Sequence, residues 1–314
     1  MLSWPHALEP ATGPMPAERL AGVAAGMGDD GPATAGLIEA GWLSPDLMCS
    51  MGLFILARQP KAPDPGKSEG PTKASPITGS VWVREQCVVR SPVRVDESFT
   101  VEGENLARFV RKERRYTTSI AETVGADGRR VSTNVTTGLT SYRPVPGLAD
   151  EWDGRPADEI AELVPDHSVA AANPHLDAIG DARPGDTFDL PPIDMTLAMM
   201  VARDTSASDN PIHSDPEQAR AAGLDRPIAG GNHVLSFALE PLLATWGAHA
   251  LGHGALIDTR WKAPTKADDT MLIRGQVTSV TTDSVAVDVA VELLGTGDPV
   301  VALLSRVVIP LPVT

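Results

Sequence analysis

Apolar positions along the chain fall into two kinds of pattern. Over residues 232–246, Val234, Leu235, Ala238, Leu242 and Trp246 recur at the spacing of one helical face. Asn232 is placed to cap that helix and Gly247 to stop it, while Pro241 is expected to kink or interrupt it. A second helix is predicted over residues 44–58, with Ser44 as its cap and Pro45 at the first helical position. The other pattern consists of strand-like runs at 115–123, 130–142, 284–294 and 300–311. Turns of hairpin chemistry join these runs in pairs: Gly125-Ala126-Asp127-Gly128 in the first half, Gly295-Thr296-Gly297-Asp298 in the second.

The two halves repeat one another. Residues 89–104 align with 261–276 at a constant offset of 172. Pro92 then matches Pro264, Asp96 matches Asp268 and Gly103 matches Gly275, with a basic residue, Arg90 or Lys262, before each proline. A proline followed by an acidic pair makes a turn that cannot join a ladder, and the residues after it lead into a strand. Each half therefore reads as a helix followed by three antiparallel strands, and the chain as two α+β units with one sheet running across both.

Residues 59–79 are rich in Pro, Gly, Lys and Ser and nearly free of large apolar side chains, which reads as a flexible loop. Residues 144–184 look unpacked apart from some helical pattern at 157–163, and most of this stretch reads as a linker. The units are thus 1–143, with the loop at 59–79, and 180–314, joined by 144–179. The first thirty residues or so are ambiguous.

Composition removes several classes of function. With 26 Lys and Arg against 41 Asp and Glu, the net charge is −15, which repels nucleic acid and disfavours a polybasic membrane contact. No apolar run approaches the ~20 residues that span a bilayer. The N-terminal MLSWPHALEP lacks a cationic stretch leading into an apolar one, so no secretory signal is expected. Cys49 and Cys87 read as reduced thiols, and the expected location is cytoplasmic.

The chemistry concentrates in residues 203–234, RDTSASDNPIHSDPEQARAAGLDRPIAGGNHV. Asn210-Pro211 starts a helical turn that carries His213. Ser214 and Glu217 have capping-box spacing for a second short helix, which Gly223 would end. Ser208 or Asp209 brings a hydroxyl or a carboxylate close to His213. Gly230 and Gly231 leave bare amides at the start of the long helix, where unsatisfied donors and the helix dipole favour a developing oxyanion. An acid–base pair facing such amides suits chemistry beside a carbonyl or thioester.

This stretch resembles the MaoC-like (R)-specific enoyl-CoA hydratase and dehydratase family in its double-hotdog form. The family's S-G-D-x-N-P-[LI]-H-x-D-P-x-x-A signature is matched by Asn210, Pro211, Ile212, His213, Asp215, Pro216 and Ala219. Its A-G-x-x-x-P-I-x-H-G-M continuation is matched by Ala222-Gly223, Pro227-Ile228 and Gly231. The resemblance covers about 180–311 and reaches the first half only through the repeat. It implies an α+β double hotdog, two fused units that each wrap an antiparallel sheet around a long helix. It also implies His213 as catalytic histidine and Gly231 as donor to the thioester carbonyl.

Four positions depart from the pattern, among them Ala207, which stands where the ungapped family signature has glycine. Aligned without a gap, the family's catalytic Asp falls on Ser208; with one residue deleted, it falls on Asp209. Gly230 and Asn232 stand where the family has its H-G-M histidine and methionine.

The expected function is therefore a hydro-lyase that reversibly hydrates a trans-2-enoyl thioester or dehydrates the 3-hydroxyacyl form. Its catalytic residues are expected among His213, Asp209 and Ser208. Gly231, Gly230, Asn232 and Asn210 are expected to bind the substrate or its oxyanion. No metal and no cofactor beyond the CoA or acyl-carrier thioester itself is expected. The first unit is expected to be non-catalytic and to wall an acyl tunnel, in a homodimer or hetero-oligomer. The alternatives are a catalytically altered partner subunit of a dehydratase and a hotdog thioesterase. Trp42, Trp82, Trp246 and Trp261 read as core or half-interface residues. Arg260, Lys262 and Lys266 read as strand-edge protection or as partners of coenzyme phosphates.

Overall fold

A computed structural model describes residues 4–52, 81–140, 144–164, 179, 181–204, 211–295 and 297–311. The predicted loop at 59–79 and the part of the predicted helix beyond Gly52 lie outside these residues, as do Ser208, Asp209 and Asn210. Each half contributes four long strands. In the first they are β3 (Val81–Val89), β4 (Phe99–Arg111), β5 (Arg114–Gly125) and β6 (Arg130–Leu139). In the second they are β10 (Ala255–Trp261), β11 (Asp269–Val280), β12 (Ser284–Leu294) and β13 (Val300–Pro310). The sequence pattern gave three per half. It missed β3 and β10, because these two strands are packed on both sides and flank the repeat rather than lying in it.

Those two strands join the halves. The order β4-β5-β6-β3-β10-β13-β12-β11 is a single antiparallel sheet, mirrored about the β3–β10 seam where Ala255 pairs with Val89 and Arg260 with Arg84. Pro92 and Pro264 stand in the turns that follow the two seam strands, which explains the repeat. Short strands extend the edges: β1 (His6–Ala7), β2 (Ala11–Gly13) and β7 (Glu151–Gly154) pair with β4, and β8 (Thr187–Asp189) and β9 (Ile193–Met195) pair with β11. The stretch read as unpacked is thus partly built into the sheet. There Trp152 faces Phe109 and stacks on it at 4.8 Å.

The long helix packs on the sheet face that presents Cys87, Val89 and Ile257, and a short helix carrying Ile160 packs on the other face, at Val88 and Leu256. Helices α1 (Ala17–Met27), α2 (Pro32–Glu39) and α3 (Pro45–Cys49) precede the first sheet half, and α4 (Ala157–Ala161) follows it. The second half has α5 (Leu197–Asp204), α6 (Pro216–Ala221) and the sixteen-residue α7 (Gly231–Trp246). Pro45 opens α3 as expected, but Ser44 makes no side-chain cap bond. The long helix is capped by Gly230, two residues before the expected cap Asn232, and it runs on through Pro241 without interruption. Its side chains are buried almost all round, with Phe237, Leu235 and Leu242 inaccessible.

Some buried polar groups pair across the halves. Glu240, in the middle of α7, accepts from the Ala33 and Thr34 amides at 2.6 and 3.0 Å and from the Thr34 hydroxyl at 2.6 Å, capping α2. Arg203 of α5 donates to Asp46 of α3 at 2.6 Å in a buried pair. Helices α1 and α5 cross closely at Gly26, where an added Cβ would sit 2.7 Å from the Arg203 Cβ.

Candidate active site

Residues 211–223 are held by local bonds. Pro211–His213 forms a single 3₁₀ turn. Asp215, not Ser214, caps α6, its carboxylate accepting from the Glu217 and Gln218 amides at 2.7 and 3.2 Å. Asp215 is the cap because the chain is extended there, at φ −114°, ψ 113°, and its carboxylate reaches the first-turn amides directly. Ser214 is turned away and donates to Asp204 at 3.2 Å. Gly223 follows α6 with φ +89°, a left-handed position that suits glycine.

Next the chain crosses beneath His213. Ile228 bridges to Lys266, and the Ala229 amide donates to the Thr265 carbonyl at 2.8 Å. The Ile228 carbonyl lies 2.7 Å from His213 Nδ1. A carbonyl only accepts, so Nδ1 carries the proton, and in the neutral ring Nε2 is the basic nitrogen.

His213, Gly230, Gly231 and Asn232 line one hollow of about 410 Å³ between the halves. Gly231 and Asn232 are the first two residues of α7, so their amides have no carbonyl to bond within the helix. Two indoles crowd the Gly231 Cα. A Cβ there would lie 3.2 Å from Trp261 and 3.3 Å from Trp82, so only glycine fits without moving a ring. Trp261 Nε1 donates to the Gly231 carbonyl at 3.1 Å. The two indoles meet edge to face at 5.4 Å, one from each seam strand. They are half-interface residues, as expected, and they also line the hollow.

The structure adds residues that sequence reasoning missed. Asp204, at the end of α5, lines the hollow with His213. So do Arg19 and Arg203, each 6% exposed, and Arg114 and Tyr116 of the first half. Arg203 and Asp204 were legible as a charged pair closing an apolar run, LAMMVARD; the first-half residues have no local signal. Lys262 lines the hollow as well, whereas Arg260 faces another cleft and Lys266 is paired with Asp225 at 2.9 Å.

In the wall of the hollow, His233 is fully buried and donates from Nε2 to the Gly26 carbonyl at 2.8 Å. Burial, then the neighbouring Arg203 charge, hold its pKa down at about 3, so the ring is neutral. Among the described residues no group of three His, Cys, Asp or Glu is placed to hold a metal, and no helix is long and apolar enough to cross a membrane. Cys49 and Cys87 are buried free thiols, and burial pushes the Cys49 thiol up.

The architecture is a double hotdog, two sheet-and-helix units fused along a seam. Residues 181–295 match the family described as MaoC like domain, a stretch that contains His213, α6 and α7. That segment is thus similar to a MaoC-like domain. Solved structures agree on the fold. A putative MaoC domain protein dehydratase from Chloroflexus aurantiacus J-10-fl superposes with a TM-score of 0.65 at 13% identity, over 98% of this chain and 96% of that one. A MaoC-like dehydratase from Phytophthora capsici gives 0.62 at 13% identity, over 99% and 96%. A Mycobacterium tuberculosis protein described as having a double hotdog fold gives 0.63 at 14% identity, over 99% and 97%. No match was found among curated proteins.

Proposed function

We propose that the protein is a hydro-lyase that adds water to a trans-2-enoyl thioester and removes it from the 3-hydroxyacyl form. The observation that carries this reading is the shared hollow: the His213 ring and the first amides of α7 line the same space, walled by both halves.

The reaction follows from that arrangement. The thioester carbonyl lies against the Gly231 amide at the positive end of α7, which stabilises charge as it moves onto the oxygen. Water sits at His213 Nε2, the basic nitrogen, with a second oxygen-bearing side chain orienting it. The water oxygen bonds to C3, one of its protons passes to the base, and the electron pair of the double bond moves toward the carbonyl. C2 then takes a proton, so that H and OH have been added across C2 and C3. Gly230 lets the chain approach closely, and Asn232 and Asn210 border the substrate. Ser208 and Asp209 are the candidates for His213's partner, and Asp204 joins them as a carboxylate lining the hollow.

Purified protein would be assayed with crotonyl-CoA and longer enoyl-CoA substrates, following loss of the conjugated thioester absorbance. His213→Ala is expected to lower kcat about 10²–10⁴-fold, the usual contribution of a positioned acid–base group. Asp204→Asn, Ser208→Ala and Asp209→Asn, compared in parallel, identify the partner by the largest loss. Free thiol release without hydration would instead mark a thioesterase. Absence of turnover on every thioester, or equal turnover by His213→Ala, would overturn the hydro-lyase reading in favour of a partner subunit.

A further inference from the structure

We propose that the hollow contains a buried anion subsite, built on Arg203 and Arg19, that receives a carboxylate carried by the acyl group of the substrate. This rests on reading the hollow as an acyl-thioester site and adds the class of acyl group.

Charge is distributed unevenly there. The chain as a whole carries −15. Yet the hollow is lined by four cationic side chains, Arg19, Arg114, Arg203 and Lys262, and among the described residues by a single carboxylate, Asp204. The cations differ in depth. Lys262 is exposed and Arg114 half-buried, whereas Arg19 and Arg203 are each 6% exposed.

Arg203 is only partly satisfied. Its Nη2 donates to Asp46 at 2.6 Å and more weakly to the Asn232 carbonyl at 3.4 Å. Its Nη1 is buried and has no hydrogen-bond partner among the described residues. Native structures leave few buried donors in that state, and each one calls for an explanation. The arginine cannot swing away: Gly26 packs against its stem, and Asp46 anchors one side of the fork. The guanidinium stays in the wall of the hollow, its Nη2 close to the start of α7.

A planar carboxylate is the natural acceptor for such a guanidinium. The thioester carrier also bears anionic oxygens, on its phosphates. Those groups are bulky and strongly hydrated, and they suit the shallower Lys262 and Arg114. The two buried arginines suit a compact anion that comes in on the acyl chain.

The test compares three CoA thioesters of similar length: the monothioester of fumaric acid, its methyl ester, and crotonyl-CoA. Wild-type protein is expected to turn over the acid with a kcat/KM at least about tenfold above the ester, as one charge-assisted bond allows. Arg203→Lys keeps the charge but loses the fork, and Arg19→Gln removes the second cation; each is expected to bring the acid-to-ester ratio toward one. Equal use of acid and ester by the wild type, or an unchanged ratio in Arg19→Gln, would overturn the subsite.

Tryptophan fluorescence, read from Trp82 and Trp261, supplies a binding measurement that does not depend on turnover. If no thioester reacts, the hydro-lyase reading falls, but tighter binding of fumarate than of fumaramide, weakened by Arg19→Gln, still supports the anion subsite. No preference for fumarate overturns it. If CoA alone competes with fumarate and is weakened equally by Arg19→Gln, the arginines hold carrier phosphate and the acyl assignment is wrong.

Discussion

Replacing Glu240 by alanine should strongly destabilise the protein, and the size of the effect can be worked from the bonds it makes. Glu240 is 1% exposed, and its two carboxylate oxygens accept three hydrogen bonds from Ala33 and Thr34. Truncation strands the buried Thr34 amide, at about 1–3 kcal/mol, and costs less at the half-buried Ala33 amide. Removing a carboxylate from the N-terminus of α2 adds up to about 2 kcal/mol. The expected total is about 3–5 kcal/mol, and Glu240→Gln, which keeps one acceptor oxygen, should lose roughly half of that. Urea unfolding followed by tryptophan fluorescence would show the midpoint falling with the slope unchanged. A loss below about 1 kcal/mol in the alanine variant would refute the assignment of Glu240 as the tie between α7 and α2.

Other changes probe the site and its surroundings. Gly231→Ala places a methyl group 3.2–3.3 Å from Trp261 and Trp82; it should shift the indole emission and lower kcat about 10–100-fold, and wild-type kinetics would contradict the crowding. His233, with its pKa held down at about 3, stays neutral in the fold while the unfolded chain gains a proton below pH 6.5, so the wild type loses stability as pH falls. His233→Gln keeps a donor for Gly26 and should be about 2 kcal/mol less acid-sensitive between pH 7 and 5, read from paired unfolding midpoints. Glu85 is fully buried, and desolvation raises its pKa well above the ordinary carboxylate value, against the bonds from Thr136 and Asn134. Its stabilising share is therefore complete below the unfolded value and is lost as pH rises, so the stability of Glu85→Gln relative to wild type should increase from pH 5 to 8. A constant difference across that range would count against a raised carboxyl.

Much of the site was legible because its chemistry is local. Asn-Pro-x-His, Asp-Pro and Gly-Gly act through backbone angles and caps within a few residues, and one peptide stretch brings His213 and Gly231 to the same hollow. Even there, only coordinates showed that Asp215 takes the cap while Ser214 turns to Asp204. The N-terminal helices escaped notice because α1 and α2 are short and built from Ala and Gly, which give little periodicity. Arg19, Trp82, Arg114 and Tyr116 are separated from His213 by about 100–200 residues, and no local pattern links them to it.

The sequence by itself determined the two-unit plan, the long helix, the outer strands of each half and the peptide that carries the candidate chemistry, since periodicity, turn residues and capping operate over short distances. Tertiary structure alone decided what that peptide faces. Pairing β3 with β10 brings the first half's Trp82 against Gly231, and packing α1 on α5 brings Arg19 and Arg203 into the wall of one hollow. Burial, charge balance and an unsatisfied guanidinium are properties of such juxtapositions, so they arise only when distant segments share one interior.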